Sequence, residues 1–263
     1  MYSAHNQFDW EFTLVGRILD SIFSKFSESS KNRIRYSRLN LLWNIYLNLR
    51  LKLAENIYYG QNSEDSVICE FLPDVKGTYV DIGAGWPIRG SNTYYFYKMG
   101  WQGITADPIH QNILLHRIFR PRDTQVRALL GVTPGFVDFY RFEPYEYSTS
   151  NYDVAKEIIA EGKGHQISID HFEMKRLDSF KLKASPLEAV LLTIDVEGKD
   201  FEVLESNDWD RFRPRVICIE TWSNHVEDER KIKSLLQQVG YILVNKVSLS
   251  KIYVHQEYLN RTT

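Results

Sequence analysis

The stretch that decides the fold is Tyr79–Trp86, YVDIGAGW. An apolar strand runs straight into Asp-x-Gly-x-Gly. Gly83 and Gly85 permit positive φ and let the backbone approach a ligand closely. Asp81 sets a carboxylate at the end of the strand, the edge where open α/β sheets bind ligands. Taken alone, such a turn could cradle a nucleotide, hold a sulfonium compound or simply reverse the chain. The third glycine of the dinucleotide fingerprint is missing, and Pro87 and Ile88 stand where that turn would continue. No Lys-Ser/Thr pair follows, so the turn is not a phosphate loop of the Walker type. A carboxylate under the glycines suits a ligand with positive charge and would repel a pyrophosphate.

Working outward, strands alternate with helices. SEDSVICEFLP predicts a helix with Ser63 as N-cap, and SNTYYFYKMG one capped by Ser91 and closed by Gly100. WQGITAD predicts a strand, PIHQNILLHRIF a helix opened by Pro108, and TQVRALLGV and GFVDFYRF two further strands. ISIDHFEMKRLDSF resumes strand character. LEAVLLTIDVEG and RPRVICIE are buried strands separated by the helix KDFEVLESND, and EDERKIKSLLQQVG is an amphipathic helix. YILVNKV and KIYVHQ follow with only SLS between them, so they should pair antiparallel. The expected fold is therefore α/β, a mostly parallel sheet closed by an antiparallel C-terminal hairpin. Residues 142–165 are polar and tyrosine-rich, a lid or substrate insertion.

Residues 1–57 differ from the rest and read as a helical N-terminal extension to a main domain at 58–263. Between Lys31 and Lys52 every charge is basic, around the apolar LNLLWNIYLNL. Such a helix could dock on the domain, bridge a homodimer, or touch a membrane surface through residues 31–55. No run reaches the ~18–20 apolar residues that span a bilayer. With Cys69 and Cys218 as two reduced thiols in apolar runs, the expected location is the cytoplasm, free or peripheral to the inner face of the membrane. A net charge of −2 argues against a nucleic-acid partner.

Acids mark the candidate site. Asp107 ends the strand after the glycine turn, where a carboxylate can accept hydrogen bonds from ribose hydroxyls. Its distance from Gly85 matches the spacing of roughly 20 residues expected of a ribose-binding acid. Asp195 and Glu197 follow AVLLTI, and Glu220 ends RVICIE, so three acids converge on one sheet edge. They could hold a divalent metal (Mg or Mn), act as general base, or bind a cofactor amine. Glu197 could instead be a helix-start acid. His225 is a second candidate base or a loop histidine, and His165 and His171 are weaker candidates. Tyr145, Tyr147 and Tyr152 could stack on sugar faces or merely pack.

The chain resembles the FkbM-type S-adenosylmethionine-dependent methyltransferases over roughly residues 58–256. The likeness rests on YGQNSEDSVI, GTYVDIGAGWPIRGSNTYYFYKMGWQGITADP, RPRD, TIDVEGKDFEVLESNDWDRFRPRVICIE and LLQQVGYILV…KIYV, in that order. It implies a class I methyltransferase (Rossmann-like) fold with a seven-stranded sheet. It implies S-adenosyl-L-methionine as cofactor, and O-methylation of a sugar, nucleotide sugar or glycoconjugate in polysaccharide, glycolipid or natural-product biosynthesis. Carried over position by position, Asp81, Gly83, Ala84 and Gly85 form the cofactor loop, Asn92 follows it and Asp107 takes the ribose. Gln61, Glu64 and Asp65 lie near the methionine end, and Asp195 and Glu197 beside the methyl group with Glu220 behind. The ribose acid is often glutamate in the family, and the N-terminal extension falls outside the likeness. Two rivals stand beside this reading. One is a methyltransferase of a lipid, polyketide or other small molecule. The other is a non-catalytic docking protein, whose mark would be a broken cofactor loop.

Overall fold

The computed structural model describes residues 40–53, 57–74, 76–221 and 226–262. Most of the N-terminal extension and His225 lie outside them. A seven-stranded sheet has the order β3-β2-β1-β7-β8-β10-β9. Its strands are β1 (Thr78–Ile82), β2 (Gln102–Ala106), β3 (Thr124–Val126), β7 (Val190–Ile194), β8 (Val216–Glu220), β9 (Tyr241–Val247) and β10 (Ser250–His255). The pairs β2–β3, β1–β2, β1–β7 and β7–β8 are parallel, and β10 runs antiparallel to both β8 and β9. This is the mostly parallel sheet with an antiparallel closing hairpin that defines the class I methyltransferase fold.

Both faces of the sheet are covered, so its central strands are apolar throughout. All five residues of VLLTI in β7 are buried. Alternation along the strands sorts the core. Val80, Ile82, Leu192, Ile194, Ile217 and Ile219 face one cluster, under α6 (Asp200–Glu205) and α7 (Val226–Gln238). Tyr79, Leu191, Val216, Cys218, Ile252 and Val254 face the other, under α2 (Glu64–Phe71), α3 (Tyr94–Lys98), α4 (His110–Phe119) and α8 (Gln256–Thr262). Truncating a fully buried side chain such as Leu192 to alanine would cost about 2–5 kcal/mol. Helix α1 (Asn40–Leu53) joins the second cluster through Leu41, Ile45, Leu49 and Leu51, so part of its apolar face is spent on the domain.

Several local expectations change. Ser63 occupies the N-cap of α2 but sits in the left-handed region (φ 63) and makes no capping bond. Loop amides go instead to acids: Tyr59 N and Gly60 N donate to Asp65, and Asn62 N to Glu64. Thr93, not Ser91, holds the N-cap of α3. Helix α4 opens at Ile109 rather than Pro108, because Asp107 Oδ1 accepts from Ile109 N at 2.7 Å. TQVRALLGV splits in two: β3 stays with the large sheet, while β4 (Leu129–Leu130) leaves for a second one. Arg127 stands at the break, donating to Pro108 O at 3.0 Å and lying over the Phe172 ring.

That second sheet has the order β4-β6-β5, with β5 (Gly135–Glu143) and β6 (His165–Lys175) antiparallel. Residues 142–165 lie within it, as the end of β5, a 3-10 turn at Tyr145–Tyr147 and α5 (Tyr152–Ala160). Helix α5 is well formed. Asn151 caps it by accepting from Asp153 N and Val154 N, and Val154, Ala155 and Ile158 bury against Phe142.

A buried ion network ties the cofactor-type turn to the fold. Arg120, fully buried, donates from Nε to Asp123 Oδ2 (2.7 Å), from Nη1 to Ser91 Oγ (3.2 Å) and from Nη2 to Thr93 Oγ1 (2.9 Å). Thr93 Oγ1 in turn donates to Asp81 Oδ2 at 2.5 Å, and Tyr79 Oη donates to Asp123 Oδ1 at 2.6 Å. Burial opposes the charge on Arg120, but Tyr79, Asp123 and Asp81 outweigh it and hold its pKa above the usual value. Breaking a buried pair from one side strands the other charge. Arg120→Met should therefore lower the unfolding free energy by about 3–5 kcal/mol, read from urea denaturation; a loss under about 1 kcal/mol would deny the network its structural weight.

Candidate functional site

Strand order reverses between β1 and β7: from β1 the chain proceeds to β2 and β3 on one side, and from β7 to β8 on the other. Open α/β sheets bind ligands at such a switch point, beyond the carboxyl ends of the strands. A cavity of about 1160 Å³ lies there. A small-molecule site typically takes ~300–1,000 Å³, so the cavity is ample for a cofactor-sized ligand.

The turn Gly83–Gly85 forms the cavity floor. Gly83 N and Ala84 N donate to Ala106 O (2.9 and 3.1 Å), and Asp195 N donates to Ile82 O (2.9 Å). The β1, β2 and β7 ends are thereby laced together. Gly83 has φ 76, and a Cβ there would lie 1.7 Å from the Asp195 carbonyl oxygen. No other residue type fits without moving β7. Gly85 N donates to Asp107 Oδ2 at 3.0 Å, and Asn112 Nδ2 donates to the same oxygen at 3.1 Å. His116, fully buried on α4, reaches Gly85 O through Nε2 at 3.2 Å. Burial, and next the Arg120 charge, hold its pKa well below the usual value, so the neutral ring donates Nε2–H to that carbonyl.

The expected site residues fall into two groups. Gln61, Gly83, Ala84, Gly85, Asp107, Asp195, Glu197 and Glu220 all line the cavity. Four more stand behind its wall, and His225 lies outside the described residues. Asp81 points into the Arg120 network, with Thr93 and Thr193 as partners. Glu64 bonds Asn62 and Ser250, and Asp65 takes the Tyr59 and Gly60 amides. Asn92 Nδ2 faces Cys218 Sγ at 3.8 Å. His165 and His171 stand on exposed positions of β6, where His171 pairs with Asp138 at 2.7 Å.

Asp195 and Glu220 both line the cavity and act on each other electrostatically. Burial, and then the charges of Glu220 and Glu197, push the Asp195 carboxyl well above its ordinary range. Burial likewise raises Glu220. Each carboxyl, once ionised, thus disfavours ionisation of the other. Among the described residues no group of three His, Cys, Asp or Glu side chains converges to hold a metal. Glu197 is not extended: its φ of 54 turns it away from the strand direction. The first-turn acids of α6 are Asp200 and Glu202, and the Asp200 carboxylate accepts from Val196 N (3.0 Å) and Gly198 N (3.2 Å) and so shapes the loop carrying Glu197. Burial lifts Asp200 to about 7 despite these bonds.

The far wall is aromatic. Trp86 and Tyr145 stack with centroids 5.9 Å apart and planes 18° apart, and Arg89 lies over the Trp86 ring at 5.6 Å. Tyr145 thus does pack, but against a residue of the glycine turn, so it closes the cavity from the second sheet. Tyr147 lines the cavity; Tyr152 packs near Tyr140 instead.

Asp107 carries a readable pH signature. Burial raises it from 3.8 to about 6, against the Ile109, Asn112 and Gly85 donors. A raised folded pKa means the native state binds more protons, so its stability contribution is full below 3.8 and is lost as pH rises through about 6. Asp107→Asn should remove about 3 kcal/mol of the fall in unfolding free energy across that window. Denaturant titrations at several pH values check this, and an unflattened profile would refute it.

The methyltransferase FkbM domain model matches residues 81–243, more than half of the chain. Among solved structures, the precorrin-6y C5,15-methyltransferase from Geobacter metallireducens GS-15 aligns with a TM-score of 0.38 and 12% identity, over 76% of this chain and 90% of that one. The glycopeptide N-methyltransferase MtfA complexed with sinefungin aligns with a TM-score of 0.37 and 10% identity, over 76% of this chain and 87% of that one. No curated protein sequence matches. The matched segment begins at Asp81 and takes in the glycine turn, Asp107, Asp195, Glu197 and Glu220. The chain belongs to the FkbM methyltransferase family, and it is a methyltransferase.

Proposed function

We propose that the chain is an S-adenosylmethionine-dependent O-methyltransferase acting on a hydroxyl of a sugar, nucleotide sugar or glycoconjugate. One observation carries this reading. A single cavity at the switch point is bounded by a two-glycine turn, by Asp107 and by the Asp195–Glu220 pair.

The donor set fits the cofactor. Asp107 Oδ2 is taken by Gly85 N and Asn112, but among the described residues Oδ1 accepts from Ile109 N alone, which leaves it room for a ribose hydroxyl. Asp195, Glu197 and Glu220 offer negative charge to a sulfonium and an ammonium group. Gln61 lines the same cavity and would bond the methionine end. The bound cofactor supplies an already activated methyl group, so the protein's main task is alignment.

The residues then divide the work. Trp86, Ile88, Leu129, Phe139 and Tyr145 line the cavity with apolar surface and keep water from competing with the acceptor. A sugar hydroxyl is a weak nucleophile at neutral pH and needs a proton acceptor. Asp195 is that acceptor, and Glu220 acts on it electrostatically. Their raised pKa values make them stronger bases, and positive charge in the cavity favours the ionised form. The expected magnesium or manganese ion finds too few ligands: among the described residues Asp195 and Glu220 are not joined by a third His, Cys, Asp or Glu side chain, so no step is routed through a metal. A cytoplasmic location accords with such a substrate, and no described helix is long and apolar enough to cross a membrane.

Calorimetric titration with S-adenosylhomocysteine tests the cofactor. Binding should be measurable, and Asp107→Ala should weaken it at least about tenfold; equal affinity would remove Asp107 from the ribose site. Panels of nucleotide sugars and of lipids, read as gain of one methyl by mass with and without chelator, then test the acceptor class. On the acceptor so found, Asp195→Asn should lower turnover about 10²–10⁴-fold with cofactor affinity kept. Near-normal turnover would end its role as base.

A further inference from the structure

The charges lining the cavity are unevenly placed. Asp107, Glu146, Asp195, Glu197 and Glu220 are acidic, and Arg89 is the one basic residue among the described lining residues. Its position is built rather than incidental. Pro87 and Ile88 are buried before it, and Gly90 after it pairs with Gly60 in a parallel bridge, so the backbone on both sides is pinned. The guanidinium lies over the indole of Trp86, which itself stacks on Tyr145. Arg89 is exposed, whereas Ala84 and Asp107 are buried, so it stands at the cavity mouth. Its contact is the indole face, with no carboxylate paired to it among the described residues. A stacked guanidinium keeps its planar fork of donors free for an oxyanion.

We propose that Arg89 is a specificity-determining residue that binds an anionic group, a phosphoester or a carboxylate, carried by the acceptor next to the hydroxyl to be methylated. This rests on the methyltransferase site described above and narrows its substrate class to charged acceptors, such as a nucleotide sugar or a uronic acid. The cofactor's own carboxylate offers the same chemistry, and the experiment separates the two sources.

Uridine diphosphate, uridine, glucuronate and glucose are each titrated by calorimetry into the full chain, with and without S-adenosylhomocysteine. The titrations are repeated for Arg89→Gln, with thermal unfolding to verify that this exposed substitution leaves the fold intact. At least one anionic probe should bind more tightly than its neutral counterpart, and Arg89→Gln should erase that preference, about tenfold or more, without changing the affinity for S-adenosylhomocysteine. The inference is overturned by the absence of any anionic preference, or by a preference that survives in Arg89→Gln. It is equally overturned if the variant loses affinity for S-adenosylhomocysteine, which would assign Arg89 to the cofactor. Failure of wild type to bind S-adenosylhomocysteine would instead sink the proposed cofactor, while the titrations without it still decide for or against the anion site.

Discussion

A buried guanidinium organises this protein. Arg120 joins the loop after α4 to the start of α3, and through Thr93 to the carboxylate of Asp81 at the end of β1. Such a charge could not remain inside the domain without partners, and through one of them, Thr93, it reaches the strand that leads into the glycine turn. Tyr79 and Tyr97 add aromatic faces at 5.0 and 5.4 Å.

Above this foundation, the site is an affair of strand ends. Ala106 O receives two amides of the turn, Ile82 O receives the Asp195 amide, and Gly83 rests against the Asp195 carbonyl. The acid held nearest the turn is therefore placed by backbone, not by a flexible side chain. Asp107 is held likewise by three donors. Preorganisation of this kind is what a methyl transfer asks of a protein, since the electrophile arrives already activated.

Much of this is legible in the residues. The alternation of buried strands and helices, and the short link between the last two strands, foretell the sheet and its closing hairpin. Asp107, Asp195 and Glu220 can be placed on the cavity edge because strand ends are visible as apolar runs stopping at an acid. Less legible are interactions between distant segments. Nothing local says that Asp81 turns inward, because that depends on Arg120, which arrives only after two further helices and a strand. RPRD stands out as a block, yet its buried role needs three dimensions. Asp200 reads as an ordinary first-turn acid until its bonds to Val196 N and Gly198 N are seen. The second sheet is harder still. Its pattern is interrupted by turns, and its two long strands find each other across an intervening turn and helix, Glu143 pairing with His165.

That small sheet is not a free appendage. Thr149 Oγ1 donates to Glu197 O at 2.7 Å, and Asn151 Nδ2 donates to Gly198 O at 3.1 Å. The segment read as a lid or substrate insertion is thus bonded to the loop that carries Glu197. Exchanging it between relatives to alter the acceptor would also disturb the loop at 195–198. A working chimera would have to carry both pieces from the same parent, and natural diversification faces the same linkage.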